Sequence, residues 1–328
     1  MKVLQVTTNY PTKSNPIFGI FMKEQVESLE KYGVENTIFF SNGSETHIGK
    51  EGGGKWVHFC NVFKLFWHVL WNKYDLIHCH SNVSGLIVAL SGVWLWKKCI
   101  LSFQNDPDKE DDAKVFRKLY PLFNKVIVKK TTKYLSWNKV IYLPNGCNTS
   151  FFCPMDRNEC KKQIGLDFDK HYLLFVDSNT SRKRTQKRKD RFDETLKILR
   201  EKYKWDNIEE LVMIGVERKL VPIYMNACSL HLMTSDLEGS PNSIKECLMC
   251  NVPVVSTDVG NVREMIADID GAFVTNEFSS EELASCVHKV LTSSKNFNGR
   301  KILMDKGYGI NEVGKKMSDI YKEICLDK

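Results

Sequence analysis

No apolar run in this 328-residue chain is long enough to cross a bilayer. Its longest weakly polar stretch, residues 84–96, falls short of the roughly 20 residues a spanning helix needs. The opening residues, Met1-Lys2-Val3-Leu4-Gln5-Val6, lack the apolar core of a signal peptide and read as a first strand. Compositional bias is missing too, since 42% hydrophobic and 27% charged residues are ordinary globular proportions. The eleven cysteines include one CxxC, Cys247-Leu248-Met249-Cys250, with neither a second pair nor histidines nearby at zinc-ligand spacing. It sits inside a predicted helix rather than opening one, so packing thiols are expected there. These absences argue against secretion, a membrane span, a fibrous repeat and gross disorder. They predict a soluble, cytoplasmic chain of about two domains.

Acid is scarce in the first half. Residues 1–148 hold 19 Lys and Arg against 12 Asp and Glu, while residues 149–328 hold 28 of each, so the net charge of +7 sits entirely before residue 149. Residues 114–140 contain eight basic residues and no acid. Such a run suits an anionic membrane or nucleic acid, and equally a solvated helix face.

Strand-like and helix-like segments alternate throughout. Strands are predicted over residues 2–6, 36–40, 75–80, 99–103, 126–128 and 140–143. Helices are predicted from Gly19 to Gly33 and over 86–96, with an exposed glycine-rich loop over 41–55. Pro144-Asn145-Gly146 makes a sharp break. A second series follows, with strands at 172–176, 210–214, 230–233, 252–256 and 272–274. Its helices fall at 192–202, 221–228, 243–249, 262–266 and 281–291, and a last helix at about 311–324. Two such series imply two α/β domains with parallel sheets covered on both faces, and ligands beyond the carboxyl ends of the strands. A cleft between the domains is the expected site.

The most informative string is Glu238-Gly-Ser-Pro-Asn-Ser-Ile-Lys-Glu246, between the predicted strand at 230–233 and a helix ending at Cys250. Gly239 and Ser240 permit close backbone approach, and Pro241 suits a first helical turn. Free N–H groups from Asn242 and Ser243 onward, with the helix dipole, would attract phosphate. Glu246, a turn further in, can accept bonds from vicinal sugar hydroxyls, and Glu238 would project into the cleft. Either glutamate alone reads equally well as an acidic cap or a surface residue.

The whole string, continued through Cys247-Leu-Met-Cys-Asn-Val-Pro-Val-Val-Ser-Thr-Asp-Val-Gly260, resembles the nucleotide-sugar site of retaining family-4 glycosyltransferases, the "glycosyl transferases group 1". Their usual form is EG-x-PN-x-x-x-EAMA-x-G-x-PVV-x-T-x-x-G. Here Cys247-Leu248-Met249 replaces Ala-Met-Ala and Asn251 replaces glycine. Further resemblances follow in order: Asn9-Tyr10-Pro11 with Gly19-Ile-Phe-Met-Lys-Glu-Gln25, Tyr74-Asp-Leu-Ile-His-Cys-His80, Leu143-Pro-Asn-Gly-Cys-Asn148, and residues 223–235. The similarity spans nearly the full chain. One departure is Gln104-Asn105 where the family commonly has His-Gly; glutamine can still bond a sugar hydroxyl but cannot become charged. His78 and His80 read as packing residues of the preceding strand.

The resemblance implies a GT-B arrangement of two facing Rossmann-like domains with a cleft between them. The expected boundaries are 1–143 (acceptor side), 144–310 (nucleotide-sugar side) and a C-terminal helix, 311–328, returning to the first domain. The implied activity is transfer of a sugar from a nucleotide-sugar donor to a hydroxyl acceptor with retention. By this resemblance Glu238 holds the donor sugar, Glu246 the ribose, and Arg184 with Lys187 the diphosphate, Lys189 being the competing alignment. Gly239, Ser240, Pro241, Asn242, Ser243 and Gly19 would line the donor, and Asn9, Gln104, Asn105 and Asp106 the acceptor side. No metal or other cofactor is expected: basic residues on a loop can neutralise a leaving diphosphate, and the Asp-x-Asp spacing of Asp106-Pro-Asp108 lies outside the donor domain. Surface polysaccharide or glycolipid assembly on a lipid-linked saccharide is implied, with no nucleic-acid partner. The alternative is a nucleotide-sugar or polyanion binder of the same fold with weak or absent catalysis. Two candidate membrane-facing surfaces stand out for a peripheral location at the inner face: residues 114–139, and residues 62–70, where Phe63, Phe66, Trp67 and Leu70 repeat at helical spacing and core packing would explain the stripe equally well.

Overall fold

The computed structural model describes residues 1–13, 17–41, 55–104, 106–177, 185–293 and 297–326. The chain divides into two compact units, Met1–Gly146 with Ile310–Lys328, and Cys147–Gly309.

The first unit is built on a six-stranded parallel sheet. Its strands are β1 (Lys2–Thr7), β2 (Glu35–Phe40), β3 (Leu76–Cys79), β4 (Cys99–Phe103), β5 (Lys125–Val128) and β6 (Val140–Tyr142), in the order β2-β1-β3-β4-β5-β6. The helices between them are α1 (Ile20–Glu30), α2 (Lys55–Trp71), α3 (Asn82–Ser91) and α4 (Glu110–Leu119). Strand periodicity sends alternate side chains to opposite faces, so Leu4, Val6, Ile77 and Leu101 pack in one layer while Val3, Leu76, Ile100 and Ile127 pack in the other. Both layers are apolar because the sheet is covered on both sides.

Two helices start differently from the pattern-based expectation. The Ser81 and Ser84 hydroxyls form a reciprocal capping box, which begins α3 at Asn82 rather than at 86, and Gly92 in left-handed conformation closes it. α4 was not predicted as an element, although a solvated helix face was one reading of the basic run that begins at Lys114. Its Glu110, Asp111 and Asp112 sit in the first turn and Arg117 and Lys118 in the last, matching the helix dipole, while Ala113, Phe116 and Leu119 are buried. The basic run beyond Lys114 is therefore partly a helix C-terminus.

The second unit carries a five-stranded parallel sheet of β7 (His171–Asp177), β8 (Ile208–Ile214), β9 (Leu230–Met233), β10 (Val254–Ser256) and β11 (Phe273–Val274), ordered β11-β10-β9-β7-β8. Its helices are α5 (Arg157–Gln163), α6 (Lys189–Glu201), α7 (Val221–Ala227), α8 (Asn242–Met249), α9 (Val262–Ile266), α10 (Ser280–Thr292) and α11 (Gly299–Asp305). Phe192, Leu196, Leu283 and Val287 cover one face, and Met225, Ile244, Leu248 and Met265 the other. Cys247 and Cys250 lie within that second core layer, where burial pushes both thiols up. They pack as protonated side chains.

The last helix, α12 (Ile310–Leu326), belongs to the first unit. Val313, Met317, Tyr321 and Ile324 complete the layer formed by Val3, Leu76, Ile100 and Ile127. Tyr321 reaches furthest: its hydroxyl meets His78 Nδ1 at 2.5 Å and accepts from Gln5 Nε2 at 3.4 Å. His78 Nε2 lies 2.9 Å from Ser102 Oγ, and His80 Nε2 2.6 Å from Gln5 Oε1. Burial, with neighbouring positive charge, pushes both histidines down, His80 to about 3, so both are neutral at pH 7. Tyr321→Phe removes the hydroxyl from a buried ring nitrogen and should lower unfolding free energy by about 1–3 kcal/mol in urea titration. An unchanged midpoint would show that α12 docks by apolar packing alone.

Candidate active site

The site in the second unit is built where two loops leave adjacent strands. β9 ends at Met233, and Thr234 to Pro241 lead into α8; β10 ends at Ser256, and Thr257 to Asn261 lead into α9. Gly260 holds the left-handed region at φ 59°, and a Cβ there would collide with the Gly239 carbonyl oxygen. Only glycine fits both demands. The Gly239 carbonyl accepts instead from Asn261 N at 3.1 Å, and Thr257 Oγ1 donates to the Ser235 carbonyl at 2.6 Å. Glu238 and Ser240 are thereby presented from a loop with little freedom.

The basic segment after β7 docks onto the same loop. Asp236 N donates to the Gln186 carbonyl, and Thr234 Oγ1 donates to the carbonyls of Lys187 and Arg188. Arg188 and Arg191 both pair with Asp236; burial alone would raise its pKa, yet the two guanidinium groups hold it low. Sequence reasoning missed both arginines, which are indistinguishable by composition from the rest of the run. Their effect is to set Lys187 Nζ 2.6 Å from Glu238 Oε1, with Ser235 Oγ donating to the same oxygen at 3.0 Å. Lys187 and Glu238 are only 14% and 16% exposed, so this pair is shielded from most solvent screening. Lys189, the competing alignment, is held elsewhere, on Glu210 of β8 and on Asp193. Arg184 lies outside the described residues.

α8 starts at Pro241 without a side-chain cap or an acid in its first turn. Of its expected ligand groups, Ser243 is engaged: its hydroxyl lies 3.1 Å from His231 Nε2, while His231 Nδ1 faces the Leu174 carbonyl at 2.9 Å. The carbonyl requires Nδ1 to carry the proton, so Ser243 donates to Nε2; burial keeps this histidine neutral, at about 4. Ser243 thus ties α8 to β7 and β9 through His231. Glu246 accepts from Arg218 Nη1 at 3.0 Å. Arg218, unnoticed in the sequence, stacks on Phe151 and Phe152 with its guanidinium carbon 5.0 and 4.7 Å from their ring centres. No described residue bonds Oε2 of Glu238 or of Glu246. Lys245 is fully buried, and its Nζ donates to Ser240 Oγ at 3.2 Å.

In the first unit, Gly19 caps α1 at φ 67°, and a Cβ there would lie 2.5 Å from the Asn9 carbonyl carbon. The two sequence-selected residues Asn9 and Gly19 are therefore in contact. Gln104 follows β4, and its buried Nε2 has no hydrogen-bond partner among the described residues. His80, after β3, similarly buries an unpartnered Nδ1. Asn105 lies outside the described residues. Asp106 is bound by Lys130 at 3.0 Å and by the Asp108 N–H, and Asp108 accepts from Thr132. Both carboxylates thereby fasten the loops after β4 and β5 to each other. No cluster of His, Cys, Asp or Glu among the described residues has metal-binding geometry.

Burial pushes Lys245 down to about 8, against the favourable pull of Cys147 and Glu246. The unfolded chain holds this proton to about pH 10.4. Between those values the unfolded state binds more protons, so this residue makes stability rise with pH. Lys245→Met should therefore stabilise the protein at pH 7, by about 1–3 kcal/mol, with the gain shrinking from pH 8 to 10. Thermal unfolding across that range checks it; a loss at pH 7 would show that the hydrogen bonds of Lys245 outweigh its desolvation.

Residues 188–293 match the family described as Glycosyl transferases group 1. No curated protein matches the chain. Among solved structures, sucrose-phosphate synthase from Thermosynechococcus elongatus superposes with a TM-score of 0.75 at 14% identity, covering 100% of both chains. The Anabaena protein HepE in complex with UDP-glucose gives 0.69 at 14% identity over 98% of this chain and 100% of its own. The catalytic domain of starch synthase IV from Arabidopsis thaliana, bound to ADP and acarbose, gives 0.73 at 10% identity over 99% of each. At such identities the structural likeness is one of fold, whereas the family match, residues 188–293, includes Glu238 and Glu246. Residues 188–293 thus carry the glycosyl transferases group 1 signature that the motifs resemble, which supports glycosyl transfer, and the chain has the GT-B fold.

Proposed function

We propose that the protein is a retaining glycosyltransferase that moves a sugar from a nucleotide-sugar donor to a hydroxyl acceptor. The observation that carries this proposal is the shielded Lys187–Glu238 pair on the loop entering α8, with Glu246 further along the same helix. A diphosphate brings more negative charge than one carboxylate and would draw Lys187 toward it, leaving Glu238 to accept bonds from donor-sugar hydroxyls. The open oxygen of Glu246 would take the ribose hydroxyls while Arg218 fixes the other. Gly239, Ser240, Pro241 and Asn242 would offer backbone to the donor, Ser243 would position α8, and Gly19 would let a phosphate approach the first unit. Arg184 would join Lys187 on the diphosphate, so charge on the leaving group is balanced by the chain and needs no metal. Complexes of HepE with UDP and UDP-glucose support a nucleotide-sugar as the first donor to try.

On the acceptor side, the unpartnered amide of Gln104 is suited to a sugar hydroxyl, and Asn9, Asn105 and Asp106 would serve the same acceptor. A lipid-linked saccharide in surface polysaccharide or glycolipid assembly, met by a cytoplasmic and peripherally bound protein, is the proposed setting. The absence of an ionisable group at Gln104 favours one second reading, a nucleotide-sugar binder of the same fold without turnover.

A thermal-shift screen of nucleotide sugars finds the donor, since a ligand at about 100 times its Kd adds about 2.7 kcal/mol. With that donor, Glu246→Ala should weaken binding by about 1–3 kcal/mol in calorimetry, because the ribose hydroxyls lose their acceptor. Unchanged affinity in a folded variant would remove the ribose assignment. Turnover should also survive treatment with a chelator; restoration only by magnesium or manganese would contradict charge neutralisation by Lys187 and Arg184.

A further inference from the structure

We propose that the outward face of α2, continued by α3 and residues 93–96, is a docking surface for an anionic lipid bilayer. Trp56, Phe59, Phe63, Trp67, Leu70 and Trp71 recur at steps of three and four along α2 and are all exposed, Trp56 to 73% and Trp71 to 79%. The core does not need them, because Leu65 and Val69 on the other side of the helix are the residues buried against the sheet. The stripe is surplus to folding.

The rings form one plate. Trp56 stacks on Phe59 with centroids 5.5 Å apart, and Phe59 meets Phe63 edge-on at 5.2 Å. Half-buried Phe66 meets Trp96 edge-on at 5.7 Å, which carries the surface across to Leu86, Leu90 and Leu95, exposed in turn. A soluble monomer rarely leaves so large a contiguous apolar area in water. Tryptophan and phenylalanine on one helix face, with lysine beside them, are the composition of a helix lying in a membrane interface.

Charge selects the occupant. Residues 55–98 contain five lysines and one acid, Asp75, whose carboxylate accepts from Lys2 N at 2.7 Å. Lys64 projects within the stripe and Lys73 just beyond its end, both exposed, while Lys97 and Lys98 beside Trp96 are half-buried and donate to the carbonyls of Tyr74 and Ile324. A second copy of the chain laid on this face would bring like charges together, whereas an anionic bilayer satisfies both the rings and the lysines. The basic run at 114–139 is the poorer surface. Phe116, Leu119 and Phe123 are buried; Lys114, Lys125 and Lys130 pair with Glu110, Glu323 and Asp106; and Lys129 is buried on the Leu143 carbonyl.

The surface stands on the first unit alone, but its use in meeting a lipid-linked acceptor rests on the proposed glycosyl transfer. The test is sedimentation of the full chain with vesicles of phosphatidylcholine, and of phosphatidylcholine mixed with phosphatidylglycerol, at low and physiological salt. The wild type should pellet with the anionic vesicles, more so at low salt, with a blue shift of tryptophan emission. Trp67→Ser with Trp71→Ser should reduce the bound fraction at least about tenfold without altering thermal unfolding, and Lys64→Glu with Lys73→Glu should do so in a salt-dependent way. Arg117→Glu with Lys118→Glu should change nothing. The proposal is overturned if the wild type stays in the supernatant throughout, if neutral vesicles bind it equally, or if only the Arg117 and Lys118 changes abolish binding. It is equally overturned if light scattering shows a dimer that the tryptophan changes dissolve and vesicles do not bind. Calorimetry with the donor separates the two proposals: vesicle binding without donor binding would defeat the glycosyltransferase assignment and leave the docking surface standing.

Discussion

The contact on which the candidate site depends is backbone against backbone: the Gly239 carbonyl pressed onto Gly260 and held by the Asn261 N–H. Without a Cβ at 260, the loops following β9 and β10 close on each other, and Glu238 has one place to stand. The 185–191 segment then docks against that loop through Thr234 and Asp236. Lys187 meets Glu238 only because each of these contacts is made. The threonine and glycine of the sequence motif thus act on the chemistry at one remove, by fixing the backbone that presents its carboxylate.

Both units bury polar groups within their cores. Lys245 is buried beside the proposed donor loop, and His78 and His80 are neutral rings sealed between the sheet and α12. A buried ammonium carries a desolvation cost, which is what pulls the Lys245 pKa down. In the first unit the cost is shared through a connected network, Gln5 to His80 and Tyr321 to His78.

What the sequence made legible follows from physics of differing range. Parallel strands buried on both faces are largely apolar, so β4 and β9 were read to the residue and the two-series architecture followed. α4, α5 and α11 were not anticipated: their few buried positions are diluted by charge, and α4 is marked chiefly by dipole-matched termini. Glu238 and Glu246 stood out by spacing, but Arg218, brought in from the chain before α7, carries no local signal. Lys187 was preferred to Lys189 in the sequence alignment, and it is Lys187 that lies on Glu238 while Lys189 bonds Asp193 and Glu210. The α2 stripe could be read as core or as surface because its periodicity is the same in both cases; only the burial of Leu65 and Val69 opposite decides.

The central claim is that this site turns a nucleotide sugar over. It is tested most directly by measuring release of nucleoside diphosphate from the donor that most stabilises the protein, with and without saccharide acceptors and with chelator present. The account predicts release that an acceptor accelerates and that Lys187→Ala removes. Tight donor binding with no nucleoside diphosphate formed on any acceptor would contradict it and leave a binding protein in a glycosyltransferase fold.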